Sequence, residues 1–282
     1  MNKEEICLYI NNAAIKSLLY EVGVSPKPGL VDKYNNGSHS DMDILTFIDS
    51  SIALNGYFYD CCRISLDNKD LPYDELFNLL RTRGIKADKD MLRATGNINT
   101  HKGAVFSLGL LASAAALTYF QNNSFDSEDI LIEAGEICRH SFLKDFNMIN
   151  PGRITNGEEI YLKYGIKGIR GEAVSGFPTI RNEALPFINS LEKENINFND
   201  KCVMTLLKIM SVADDTNIIS RGSIESLDYI KKKSKDILSM PLDSQIKLIF
   251  EFDKDLIDKN LSPGGSADLL AATLMIYFLK KY

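Results

Sequence analysis

The 282-residue sequence has no tryptophan and three histidines, and none of its five cysteines (Cys7, Cys61, Cys62, Cys138, Cys202) falls in CxxC spacing. Without CxxC or HxxxH pairs, a structural zinc site is not expected. An odd number of cysteines, two of them adjacent, makes a poor disulfide framework, so reduced thiols and a cytoplasmic setting are expected. A surplus of basic residues is also missing. The net charge of −6 argues against a nucleic-acid binder, and any anion site must be a local concentration of positive charge. Glu4 and Glu5 stand where a secretory signal would carry basic residues. No apolar run reaches the ~20 residues that a bilayer requires. The uncharged stretch Ala104 to Phe120 comes nearest, but its Ala, Ser and Gly content reads as a buried central helix closely approached by its neighbours.

Strand-like alternation is scarce, whereas apolar residues recur at helical spacing. Ile6, Ile10, Ala13, Ala14 and Leu18 form one such stripe, and Val203, Leu206, Leu207 and Met210 another. Further patterns cover Asp43 to Leu66, Tyr73 to Arg81, Ala87 to Ala94, Ser127 to Phe142, Ile224 to Leu238, Asp243 to Asp258 and Ser266 to Lys280. They predict an all-α fold of about ten helices in one domain over residues 1–282. Asp126 and Ser127 are placed to cap the helix that follows, and Ser266 to open the last one. Between the helices, residues 25–29, 35–39, 147–178, 214–222 and 262–265 resist regular structure. A long loop inside one domain more often builds a site than links two.

These loops carry the chemistry-bearing residues. Ala94 to Gly103, ATGNINTHKG, leads into the apolar stretch with His101 and Lys102 at its mouth. Free first-turn N–H groups, a positive dipole end and a lysine together suit a phosphate. Arg83 and Arg93 upstream add guanidinium donors, and the alternative is a glycine-assisted helix start. Pro26 and Pro28 fix the backbone around Lys27, which either projects at an anion or is a solvated turn lysine. In GSHSDM, Asp41 is expected as a helix cap or, with His39 two residues earlier, in a metal or proton-transfer role. Arg170 and Glu172 lie among glycines and could meet phosphate and ribose, or simply pair. Asp214 and Asp215, read as the end of the preceding helix, would oppose its dipole unless Mg²⁺ or a ribose hydroxyl compensates. Arg221 follows within a few residues. Gly264, Gly265 and Ser266 repeat the glycine-then-helix arrangement, so a ligand with several phosphates is expected.

Taken in order, PKPGLVD, GSHSDM, ATGNINTHKGA, GIRGEAVSGFP, DDTN with the later RG, and LSPGGSADLLA resemble the triphosphoribosyl-dephospho-coenzyme A synthase family over nearly the whole chain. The resemblance implies an all-α fold and transfer of the triphosphoribosyl group of ATP to the 2′-hydroxyl of 3′-dephospho-CoA, with release of adenine. The product would be the prosthetic-group precursor for the acyl carrier subunit of citrate lyase or malonate decarboxylase, attached by a separate holo-acyl-carrier-protein transferase. Position by position, the family's motif residues fall on Lys27, Asp32, His39, Asp41, Asn99, Thr100, His101, Lys102, Arg170, Glu172, Asp215, Asn217, Arg221, Ser262, Gly264, Gly265, Ser266 and Asp268. Of these, Glu172 and Asp215 are the first candidates for the chemistry, with Asp41 and His101 beside them. Mg²⁺ would accompany the triphosphate, with Asp214 and Asp215 as candidate metal ligands. Asn97 stands where the family has glycine, and asparagine tolerates the left-handed backbone such a turn needs. Asp88 replaces a usual glutamate and Ser223 a usual glycine. Because ATP is a β-riboside and the family's product an α-riboside, one inverting displacement is implied. Two rivals are an all-α Mg²⁺-dependent ADP-ribosyl or nucleoside hydrolase and a helical binding module without chemistry. Neither nucleic acid nor membrane is expected as a partner, and the oligomeric state stays open.

Overall fold

The computed structural model describes residues 1–147 and 154–280, with the side chains of 143–147 excepted. All regular structure in these residues is helical. In chain order the α-helices are α1 (Lys3–Gly23), α2 (Ile44–Ala53), α3 (Tyr57–Asp67), α4 (Tyr73–Ala94), α5 (Lys102–Asn122), α6 (Ser127–Asn147), α7 (Asn156–Tyr164), α8 (Gly168–Val174), α9 (Leu185–Ser190), α10 (Phe198–Met210), α11 (Thr216–Arg221), α12 (Ile224–Leu238), α13 (Leu242–Asp258) and α14 (Gly264–Leu279). A π-helical turn, Thr179–Ala184, leads into α9.

The all-α reading holds, and the extra helices have local causes. Gly56, at φ 92°, splits the expected Asp43 to Leu66 helix into α2 and α3. Gly84, by contrast, does not interrupt α4, so two expected helices are one. The span expected to be irregular from 147 to 178 contains α7 and α8, with residues 148–153 outside the described residues. Asn2 and Glu5 form a capping box on α1. Asp126 caps α6 by accepting from the N–H groups of Glu128 and Asp129.

Helices α1, α5 and α14 form the middle of the molecule, with α3, α4 and α6 packed against α5 and α10 against α14. Between Ala104 and Tyr119 every side chain of α5 but that of Phe106 is buried, including Leu108, Leu111, Ala112, Ala114, Ala115 and Ala116. Of the described helices it alone is long and apolar enough to span a bilayer, yet 83% of its apolar window is buried inside the protein. Its small residues let neighbours approach: a Cβ on Gly109 would stand 2.2 Å from the Tyr57 hydroxyl of α3. That hydroxyl donates to Val105 O. All five cysteines are buried and unbridged. The packing brings the first turns of α5 and α14 together with the loops at residues 25–42, 95–101 and 214–217, and there the site forms.

Candidate functional site

One cavity of about 960 Å³ gathers nearly all of the residues singled out above. Glu172, Asp215, Asp41, His101, Lys27, His39, Asn99, Thr100, Lys102, Arg170, Asn217, Arg221, Ser262, Gly264, Gly265, Asp268 and Asp214 line it; Asp32 and Ser266 do not. The volume is at the upper end of the ~300–1,000 Å³ typical of small-molecule pockets.

The two helix starts read as phosphate cradles are already filled by carboxylates of the chain itself. Asp268, on the first turns of α14, accepts from the Ala104 N–H at the start of α5. Asp215 does the same for α14: its Oδ2 accepts from Ser266 N at 2.7 Å and Ser266 Oγ at 3.0 Å. Its Oδ1 accepts from Asn217 N at 2.9 Å, capping α11. The expected dipole conflict at Asp215 is therefore reversed. Helix α10 ends at Met210, and the carboxylate stands at helix N-termini, where negative charge is favoured. Gly264 and Gly265 are glycines because this loop is so close: Cβ atoms there would stand 2.8 Å from Asn217 Nδ2 and from Asp215 Oδ1.

Burial raises the pKa of Asp215 against the pull of its N–H donors. Burial first, then the carboxylates of Glu21 and Asp215, pushes Asp268 well above the ordinary carboxylate range. Glu172 on α8 is also raised by burial, although Oε1 accepts from Thr179 Oγ1 at 2.6 Å and Oε2 from Thr179 N at 3.1 Å. These bonds hold a turn in which the buried Phe177 sits at φ 51°, a conformation costly for a bulky residue and typical of functional sites.

Cations are distributed differently from the sequence reading. Lys27 is neither solvated nor free: its side chain is 2% exposed and Nζ donates to Glu21 Oε1 of α1 at 2.5 Å. Asp32 organises the Lys27 loop, accepting from the N–H groups of Lys27, Tyr34 and Asn35. The buried Asp253 of α13 ties that loop down through Gly29 N and Asn35 Nδ2. Arg221, although exposed, joins loops, donating to Ser38 O at 2.8 Å and to His39 Nδ1 at 3.1 Å. His39 Nε2 in turn meets Ser262 Oγ at 2.9 Å, and burial followed by Arg221 lowers the His39 pKa. Lys102 is exposed at the cavity, and Arg170 lies 3.7 Å from Glu158 rather than on Glu172. Arg83 and Arg93 do not reach the site; they pair with Asp60 and Asp90.

Asp43, not Asp41, caps α2; Asp41 lies 3.6 Å from His39 at the rim with its side chain 59% exposed. Asp214 and Asp215 diverge, since Asp214 accepts from Lys231 at 2.6 Å. Among the described residues no three His, Cys, Asp or Glu side chains are grouped to hold a metal. The donor set therefore does not fit a resident ion on Asp214 and Asp215.

Charged lining residues that the sequence reading did not place in the site include Glu21, Arg81 and Lys167, and Asp88, noted there only as replacing a usual glutamate, lines it too. Phe77, Arg81, Gly84 and Asp88 are spaced four, three and four apart, so a continuous α4 places them on one face toward the cavity. The sequence patterns Tyr73 to Arg81 and Ala87 to Ala94, read as two helices, do not show that stripe. Asp88 carries a buried Oδ1 without a hydrogen-bond partner among the described residues, and burial raises its pKa against the opposing charge of Lys102. Asn97 adopts φ 70° as its asparagine identity suggested.

Residues 7–282 match the family model described as CitG: ATP:dephospho-CoA triphosphoribosyl transferase. A Klebsiella pneumoniae protein named 2-(5''-triphosphoribosyl)-3'-dephosphocoenzyme-A synthase is 35% identical, over 93% of this chain and 88% of its own. The protein CitXG of Leuconostoc mesenteroides is 38% identical over 94% of this chain, which spans 58% of that longer protein. A crystal structure from Archaeoglobus fulgidus, named for the same synthase, shares the fold with a TM-score of 0.55 at 18% identity, covering 82% of this chain and 97% of that one.

Proposed function

The chain belongs to the CitG family of ATP:dephospho-CoA triphosphoribosyl transferases, and from that premise we propose how its cavity works. The reaction moves the triphosphoribosyl group of ATP onto the 2′-hydroxyl of 3′-dephospho-CoA and releases adenine. A C1′–O bond forms as the C1′–N9 bond breaks, the acceptor hydroxyl loses a proton and adenine gains one.

The observation that carries the assignment of roles is the contrast between Glu172 and Asp268. Both carboxyls line the same cavity, but their surroundings differ. Burial raises both, but for Glu172 two donors from Thr179 oppose the rise, whereas for Asp268 the carboxylates of Glu21 and Asp215 add to it against a single N–H from Ala104. Glu172 is the base that takes the acceptor proton, and Asp268 is the acid that gives the departing adenine its proton. Asp215 acts by holding α11 and α14 in register. Positive charge building on the ribose ring is stabilised by the surrounding carboxylates.

Lys102 and Arg170 at the opening, with Arg81 and Lys167, suit the phosphates of the two nucleotides. Lys27 contributes through its pair with Glu21. Mg²⁺ enters as part of the ATP substrate, coordinated by its phosphates. The hydrolase alternative depended on Asp214 and Asp215 acting together, and they diverge. The product is destined for a lyase or decarboxylase carrier subunit by way of a holo-acyl-carrier-protein transferase. Buried, unbridged thiols fit a cytoplasmic setting.

The test is to incubate the protein with ATP, with and without 3′-dephospho-CoA. Adenine equimolar with a triphosphoribosylated, α-linked coenzyme is expected. Acceptor-independent release of adenine and ribose triphosphate would overturn the proposal.

A further inference from the structure

Ser50 on α2 is fully buried and belongs to none of the motifs that pointed to the site. Its hydroxyl lies 2.7 Å from His101 Nδ1, and Thr100 Oγ1 donates to the same hydroxyl at 2.7 Å. A serine hydroxyl has one proton to give. With Thr100 donating to Ser50, the acceptor within reach of that proton is His101 Nδ1. A neutral imidazole that accepts at Nδ1 carries its own proton at Nε2. Burial, reinforced by the Lys27 charge, keeps the ring neutral by pushing its pKa down to about 3. The ring lines the cavity, yet its buried Nε2 has no hydrogen-bond partner among the described residues. Buried polar atoms are rarely left so. Phe47 meets the ring edge-on at 5.0 Å, and the backbone N–H of His101 donates to Met91 Sδ at 3.2 Å, so a ring contact and a main-chain contact both anchor the residue.

We infer that Ser50 is a positioning residue that locks His101 in the Nε2–H tautomer, so that this nitrogen donates a hydrogen bond to a lone-pair acceptor on the bound nucleotide. The nature of that acceptor rests on the transferase reading above; the tautomer does not. His101 thus serves as a neutral donor, and the proton on Nε2 stays on the ring through the reaction.

Three histidines make the test tractable, because nitrogen-15 labelling of histidine gives few ring signals. In the ligand-free protein at neutral pH, His101 is expected to show a pyridine-type Nδ1 and a pyrrole-type Nε2. A protonated Nδ1 would overturn the inference whatever reaction the protein catalyses. In turnover, Ser50→Ala is expected to lower kcat by roughly tenfold, the worth of one neutral hydrogen bond, with KM little changed. His101→Gln supplies an amide donor with no tautomer to set, so adding Ser50→Ala to it should cost nothing further. An equal loss in both backgrounds would make Ser50 purely structural and overturn the proposal. The labelled wild-type spectrum needs no turnover and no variant, so it separates failure of the tautomer from failure of the transferase reading.

Discussion

Asp268 and Gly103 occupy each other's space: a Cβ built on Gly103 would lie 1.9 Å from Asp268 Oδ2. The carboxylate can reach the first turn of α5 only because residue 103 has no side chain. Gly103→Ala must therefore push Asp268 away or separate α14 from α5. It is expected to cost about 1–3 kcal/mol, as overpacking does, and to abolish transfer. Urea unfolding and adenine release on the same preparation check both effects.

Asp268 also sets a pH dependence. Its folded pKa lies above the unfolded value of 3.8, so the folded state holds the proton more tightly. The associated stability is full below the unfolded pKa and is lost as pH rises through the folded one. Asp268→Asn keeps a neutral side chain at every pH. Its stability relative to wild type is expected to grow from mildly acid to mildly alkaline buffer, as read by denaturant midpoints. A difference that stays constant with pH would show that Asp268 does not titrate there.

Lys27 and Glu21 form a pair with side chains 2% and 5% exposed. Removing one partner leaves the other charge buried, so Lys27→Met or Glu21→Gln alone should cost about 3–5 kcal/mol. The double variant is expected to lose much less than the sum. Thermal or urea unfolding of the three variants gives the coupling directly.

Lys102 is exposed at the cavity and, among the described residues, makes no hydrogen bond or ion pair that would tie it to the fold. Lys102→Ala should leave stability within about 0.5 kcal/mol of wild type while weakening nucleotide binding. Because the interaction is with phosphate in an accessible position, the loss should shrink as salt is added. Calorimetric titration of ATP at two ionic strengths measures it.

Much of this arrangement was legible in the sequence. The apolar spacing gave an all-α chain, and Ala104 to Phe120 is the buried central helix its small residues suggested. The motif residues converge because glycines and prolines mark the loops where helices end, and those loops meet at one end of the core. Three things were hidden, each for a physical reason. Asp215 and Asp268 fill the helix starts that looked open to phosphate, and a cap from a distant element leaves no local signal. Glu21 lies on α1, where a buried glutamate reads as part of a polar face until Lys27 is seen opposite it. Arg81 and Asp88 share a stripe that appears only once α4 is known to run through Gly84.

The account turns on Glu172 as the base, and adenine release by Glu172→Gln measures that most directly. Chromatographic assay with ATP and 3′-dephospho-CoA, alongside calorimetric ATP binding, should show binding retained and release reduced by roughly 10²–10⁴-fold, the usual contribution of general-base catalysis. Adenine release at the wild-type rate would contradict the assignment.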